Sequence, residues 1–319
     1  MLSAILEKIF YCKNYYNNEK KWKWINILGK KFKLRVKYSK NLRRFISTSK
    51  PAPLDYTDNT HREKVYISIV AIFKDEPDII DWIEHHIKVG VERFYLYDND
   101  STEDYERILS DYIAAGTVVY RKISGVGRQR YVYRDAVYRF KDETEWIAII
   151  DIDEYLVPVE KENLRTFLKD YDAFSGVVVN WVMYDSNGLQ ERPKDKSVIE
   201  AYTRANKNPQ FYRNLLVKSI VKPRDVRYVC SAHVCIYEKG KFAVDENFIG
   251  HENYVRTQTL KNSTNKIRIN HYFCKSKEDY LTKIGKGCAD RKGFIKFDEG
   301  LLNFKNGKHD YTAWRFFNR

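Results

Sequence analysis

Between Val65 and Ile150 apolar strand-like runs alternate with helical ones, and this alternation limits the chain to very few architectures. VYISIVAIF (65–73) is β-rich and almost continuously apolar, the pattern of a strand covered on both faces. KDEPD follows, where Pro77 suits a first helical turn and Asp75 suits its cap. Ile79, Ile80, Ile83 and Ile87 then recur at helical spacing, and Gly90 closes the helix. His85 and His86 fall within it, and the pattern predicts that one packs and the other faces water. RFYLY (93–97), TVVYRKI (117–123) and WIAII (146–150) read as further strands, with helices through Ala115 and over 128–141 between them. Each helix is long enough for a crossover, so the expectation is an α/β fold with a mostly parallel central sheet and helices on both faces. Beyond residue 160 short strands (176–181, 215–221, 226–229) alternate with long polar loops, a mixed second half of the same unit.

Three of these strands end in acids. Asp75 and Glu76 follow the first, Asp98 and Asp100 the second, and Asp151 and Asp153 the fourth. Ligands of open parallel sheets bind at the carboxyl ends of the strands, so these side chains should share one rim. Repulsion within such a rim calls for a cation or hydrogen-bond donors. If the backbone stays extended, Asp151 and Asp153 leave one face and suit a hard divalent ion, Mg²⁺ or Mn²⁺, that also bridges a diphosphate. An Asp-x-Asp pair is weak evidence alone; two earlier acidic strand ends strengthen it.

The chain as a whole is basic, with 57 Lys and Arg against 43 Asp and Glu and a formal charge of +14. That balance favours anionic partners. Its density is greatest between Lys20 and Lys50, interleaved with Trp22, Trp24, Phe32 and Phe45, before the linker-like PAPLDYTDNTHRE. Residues 1–62 thus read as a separate extension, either a surface for anionic lipid headgroups or a solvated helix packed on the domain. The five cysteines show no C-x-x-C pair and suit reduced thiols. No apolar run is long enough to span a bilayer, and the N-terminus lacks signal-peptide character. The expected location is cytosolic, with a peripheral membrane contact.

The stretch IVAIFKDEPDIIDWIEHHIKVGVERFYLYDNDSTED, followed by WIAIIDIDEYLVP, resembles glycosyltransferase family 92. So do VVVNWVMYDSNGLQERP (177–193) and INHYFCKSKEDYLTKIGKGCAD (269–290). The resemblance runs from about Val65 to Asp290, which sets off a domain at 63–290 and a tail at 291–319. It implies a GT-A-type nucleotide-sugar-binding sandwich with an acceptor-side half. It also implies a divalent metal, usually Mn²⁺, and inverting transfer of galactose or a related hexose, here from a UDP-sugar, to a saccharide or lipid-linked glycan. By the same resemblance Asp153 would ligate the metal, with Asp151 near the metal or the donor ribose and His271 completing coordination. Phe73, Asp75 and Asp98 would contact the nucleotide, and Lys275 the diphosphate. Three positions depart from the family's usual residues: Asp75 in KDE, Arg134, and Asp185 in YDSNG.

Inverting transfer needs a base to take the acceptor's proton. Asp185, in a Ser-Asn-Gly loop, and Glu191 are the candidates, with His233 behind them. Two other readings compete. A nucleotidyltransferase would need a glycine-rich basic loop after the first strand, where KDEPD stands. A nucleic-acid binder would need a basic face on the folded domain, whereas the basic density lies in the extension.

Overall fold

The computed structural model describes residues 62–251, 257–259, 261–286 and 296–316, and the backbone of three strands nearer the N-terminus. Those three, β1 (Phe10–Asn17), β2 (Lys20–Ile27) and β3 (Lys30–Val36), form an antiparallel meander. The helical extension is therefore replaced by strands. The reason is visible in KWKWIN, where Lys alternates with β-favouring residues at a period of two, not 3.6. The lipid-surface reading of residues 1–62 rests on side chains outside the described residues.

Four parallel strands follow: β4 (Val65–Phe73), β5 (Arg93–Asn99), β6 (Val118–Ile123) and β7 (Thr144–Ile149). Their spatial order is β6-β5-β4-β7. The chain thus steps outward from β4 through β5 to β6 and then returns to lay β7 on the other side of β4. That reversal makes a switch point, with a crevice between the carboxyl ends of β4 and β7. The continuous apolarity of β4 has the expected cause. Ile67, Ile69, Ala71 and Phe73 enter one core layer, and Val70 and Ile72 the other. The first layer packs on the helix Ile79–Lys88, the second on the helix Gln129–Arg139.

The second half adds strands of both directions. They are β8 (Glu154–Pro158), β9 (Gly176–Met183), β10 (Arg204–Asn206), β11 (Val217–Val221), the hairpin β12 (Val226–Ser231) and β13 (Val234–Tyr237), β14 (Ala243–Val244), β15 (Gly250–His251), β16 (Ile267–His271) and β17 (Gly307–His309). β11 runs antiparallel between β7 and β9, and β16 lies parallel to β9 and antiparallel to β8. Residues 296–316 do not form a detached tail. Leu301, Leu302, Phe304, Ala313 and Phe316 are buried in the main core, and β17 pairs with β10.

Two local expectations are corrected. The helix after β4 starts at Ile79 with Asp78 at its cap position, so Asp75 caps nothing; it sits instead in a left-handed turn, φ +48°. His85 and His86 are both buried. His85 Nε2 meets the Leu156 carbonyl at 2.8 Å, and the Leu156 amide donates to His86 Nε2 at 3.1 Å. Together they pin this helix to β8, satisfying strand groups that would otherwise be buried without partners.

Burial lowers the His85 pKa to about 4. The unfolded chain, with a histidine near 6.5, therefore binds more protons between those values. Stability from this group is full above about pH 6.5 and falls as pH drops toward 4, at roughly 1.4 kcal/mol per unit. A His85→Gln protein, able to keep the bond to Leu156, should gain on wild type over that window in denaturant melts. Parallel pH profiles for the two would show that the group does not titrate as described.

Candidate active site

The rim of the switch point is assembled from loops laced to one another. Asp75 Oδ1 accepts from the Thr102 amide (2.6 Å) and hydroxyl (2.9 Å), and the Asp75 amide donates to Ser101 Oγ at 3.0 Å. Asp98 accepts from the Ser101 amide at 2.9 Å and from the Tyr120 hydroxyl at 2.5 Å. Asp100, also left-handed at φ +60°, accepts from the Gly125 amide at 2.9 Å. These acids fasten the loops after β4, β5 and β6 together. Burial opposes ionisation of Asp75, but the Thr102 bonds and the nearby Lys286 and Lys74 hold its carboxyl below the ordinary range. Asp98 is buried with both oxygens occupied by these donors, and Phe73 packs its ring edge-on against Tyr105 at 5.0 Å. Neither side chain presents itself to the crevice.

β7 stops at Ile149, and the backbone turns before β8, with the Glu154 amide donating to the Asp151 carbonyl at 3.1 Å. The extended geometry that would send Asp151 and Asp153 off one face is therefore absent, and the two carboxylates meet different partners. Asp151 accepts from Lys218 Nζ (2.7 Å), the Tyr133 hydroxyl (2.6 Å) and Gln129 (3.0 Å). Burial opposes its charge, yet Lys218 beside it keeps the carboxyl below its ordinary value. Asp153 meets Lys283 Nζ and, at 3.3 Å, His271 Nε2. It too is held well below its usual range, against burial, first by Lys283 and then by His271.

His271 arrives by register. β16 pairs antiparallel with β8, placing His271 opposite Glu154, and the Tyr272 amide donates to the Asp153 carbonyl at 2.9 Å. Its Nδ1 is buried with no hydrogen-bond partner among the described residues, and the Trp181 ring at 4.2 Å holds the imidazole in place. Asp153 and His271 thus offer an oxygen and an imidazole nitrogen to one point. Among the described residues no group of three or more such side chains converges. The carboxylate suits a hard divalent ion, and the imidazole nitrogen suits Mn²⁺ better than Mg²⁺; phosphate oxygens and water would fill the remaining positions.

Next to Asp153 opens a cavity of about 350 Å³, bounded by Asp75, Glu76, Arg192, Lys275, Lys283 and Lys286, among others. Three lysines therefore face a space rimmed by acids. Lys275 is itself engaged, its ammonium on Asp78 and 3.9 Å from Glu76. Lys286 donates to the Lys74 and Asp75 carbonyls at 3.1 and 2.6 Å. The two lysines clamp the segment 275–286 across the strand ends.

The proposed bases separate. Asp185 is fully buried; it accepts from the Asn187 amide (2.9 Å) and the Phe304 amide (2.8 Å) and pairs with Arg204 at 3.5 Å. It is a fastener for residues 296–316, not an exposed loop acid. Glu191 is exposed, next in sequence to Arg192 of the cavity wall. His233 bonds the Val217 carbonyl at 2.7 Å, and burial lowers its pKa to about 4. It is a half-buried histidine held by that bond and by the Trp181 ring at 5.5 Å.

Lys218 was not apparent as a site residue. It is completely buried, on β11, and reaches both Asp151 and, at 3.3 Å, Glu154. The one signal was a lysine inside LLVKSIV, which only the pairing of β11 with β7 turns into a contact.

The profile of glycosyltransferase family 92 matches residues 63–283. A family 92 protein of Oryza sativa subsp. japonica is 23% identical over 193 residues, covering 59% of this chain and 33% of that protein. One from Ricinus communis is 28% identical over 148 residues, covering 45% and 26%. The chain therefore spans about a third or less of the length of these curated relatives. Among solved structures, S. aureus TarS 1–349 in complex with UDP overlaps 50% of this chain and 47% of that one, with a TM-score of 0.33 and 14% identity. Among the described residues no helix is long and apolar enough to cross a membrane. With the family profile covering the whole crevice-bearing sheet, this chain belongs to glycosyltransferase family 92.

Proposed function

We propose that this chain transfers a hexose, galactose or a close relative, from a UDP-sugar to a saccharide of a cell-surface glycan, with inversion and with a divalent metal. The observation that carries this reading is the placement of Asp153 and His271 beside a cavity faced by Lys275, Lys283 and Lys286 at the switch point. Family membership supports the reaction class. In this reading the lysines take the donor diphosphate, and Asp151, ionised and locked by Lys218, Tyr133 and Gln129, stands ready for a ribose hydroxyl. Asp153 and His271 would hold the metal, Mn²⁺ or Mg²⁺, and a metal there would supply positive charge to a leaving diphosphate. Glu191, exposed beside Arg192, takes the proton from the attacking acceptor hydroxyl.

UDP with Mn²⁺ is expected to raise the melting temperature more than UDP alone or GDP with Mn²⁺. A Glu191→Gln protein should keep that shift but lose about 10²–10⁴-fold in transfer rate. A larger shift with GDP would redirect the donor assignment, and an active E191Q enzyme would remove Glu191 as the base.

A further inference from the structure

Asp153 already holds a cation that belongs to the chain. Lys283 Nζ contacts Asp153 Oδ2, the same oxygen that stands 3.3 Å from His271 Nε2. The ammonium is also 3.2 Å from the Phe273 carbonyl and 4.2 Å from the centre of the Phe273 ring. A carboxylate, a carbonyl dipole and an aromatic face thus surround one charge, each attractive to a cation. The site is built rather than incidental. Phe273 follows β16 by two residues and Lys283 lies on the helix Lys277–Lys286, so the short link between strand and helix sets both sides of it.

We infer that the Lys283 ammonium is an exchangeable internal cation, which occupies the metal's side of Asp153 until a divalent ion displaces it. This rests on the reading of Asp153 as the metal ligand. One carboxylate oxygen cannot hold both cations at contact distance, because two positive charges a few ångströms apart repel strongly at a partly dry site. Metal binding at this oxygen, beside His271, therefore breaks the Lys283–Asp153 pair. The lysine side chain is about one-third exposed and lines the cavity, so its ammonium swings into that space. There it meets the diphosphate that arrives with the metal. The device has two consequences. In the empty protein the acidic rim stays neutralised, and metal binds weakly. With nucleotide present, the displaced ammonium gains a phosphate partner, so nucleotide and metal favour each other's binding.

Removing the ammonium should then move two affinities in opposite directions. Mn²⁺ binding is read by electron paramagnetic resonance, as loss of the free-ion signal, on nucleotide-free protein. Lys283→Met is expected to bind Mn²⁺ about tenfold more tightly than wild type. UDP affinity measured at saturating Mn²⁺ should fall by a similar factor. Lys286→Met is the control: it removes a lysine of the same cavity that does not touch Asp153, and it should change Mn²⁺ affinity by less than about threefold. Equal Mn²⁺ affinity in wild type and K283M, or equal gains in K283M and K286M, would overturn the exchange while leaving the metal site in place. Failure of wild type and K283M alike to bind Mn²⁺ would overturn the metal reading itself, and the exchange with it.

Discussion

An Asp153→Asn protein is expected to lose transfer by at least about 10³-fold, with its melting temperature lowered by no more than a few degrees. The rate effect follows from the part the carboxylate plays. A metal on a leaving diphosphate supplies several kcal/mol of charge stabilisation, and each 1.4 kcal/mol is roughly a factor of ten. The amide is nearly isosteric but offers a neutral and weaker oxygen. The stability loss should be small because opposing changes meet at this residue. The variant gives up the pair with the partly exposed Lys283 and weakens the contact with His271, a loss of about 1–2 kcal/mol. It also removes repulsion with Asp151 and the burial of a charge. The measurement is transfer rate beside a melting curve and Mn²⁺ titration on the same sample. Full activity in D153N would sink the ligand assignment, whereas inactivity with a collapsed melting temperature would show the residue to be structural.

Lys218→Met is expected to have the largest effect on stability, about 2–3 kcal/mol, below the 3–5 of a wholly buried pair because the Asp151 side chain is about one-third exposed, and it lowers the melting temperature by on the order of 5–10 °C. Lys218 is completely buried, and it is the cation that touches both Asp151 and Glu154. Its loss strands the Asp151 charge with only neutral donors, Tyr133 and Gln129. Glu154 behaves differently. Burial pushes its carboxyl well above the ordinary range, Lys218 opposes that, and Asp151 and Asp153 add repulsion. Its protonated form resembles an amide, so Glu154→Gln should cost less than about 1 kcal/mol. The K218M/D151N double variant should recover at least about 1 kcal/mol over K218M alone, because no unpaired charge remains. Strict additivity in that cycle would refute the account.

Much of this was legible from residue order. β4 is predicted at its observed bounds because nine residues, apolar except for Ser68 and mostly β-favouring, lie between polar turns, and a strand buried on both faces needs no other signal. The crossovers and the acidic strand ends followed from the same alternation. The domain's C-terminal limit did not, since residues 296–316 join the core through scattered positions such as Leu301 and Phe304 that show no period. The two histidines of the first helix look alike in sequence. Both are buried because β8 lies across the helix and supplies a carbonyl to one and an amide to the other.

At the site, sequence by itself determined which acids reach the sheet's rim, because parallel strands carry the residues at their carboxyl ends to one edge. It did not determine what those acids do there. Asp98 and Asp185 became fasteners, and Asp151 and Asp153 parted to different partners, when a turn replaced extended backbone after Ile149. Lys218 and Lys283 reach those acids from 67 and 130 residues away. Spacing along the chain records local geometry only. Which cation meets which carboxylate is set by the long-range pairing of β11 with β7 and of β16 with β8, and those ladders exist only in the folded protein.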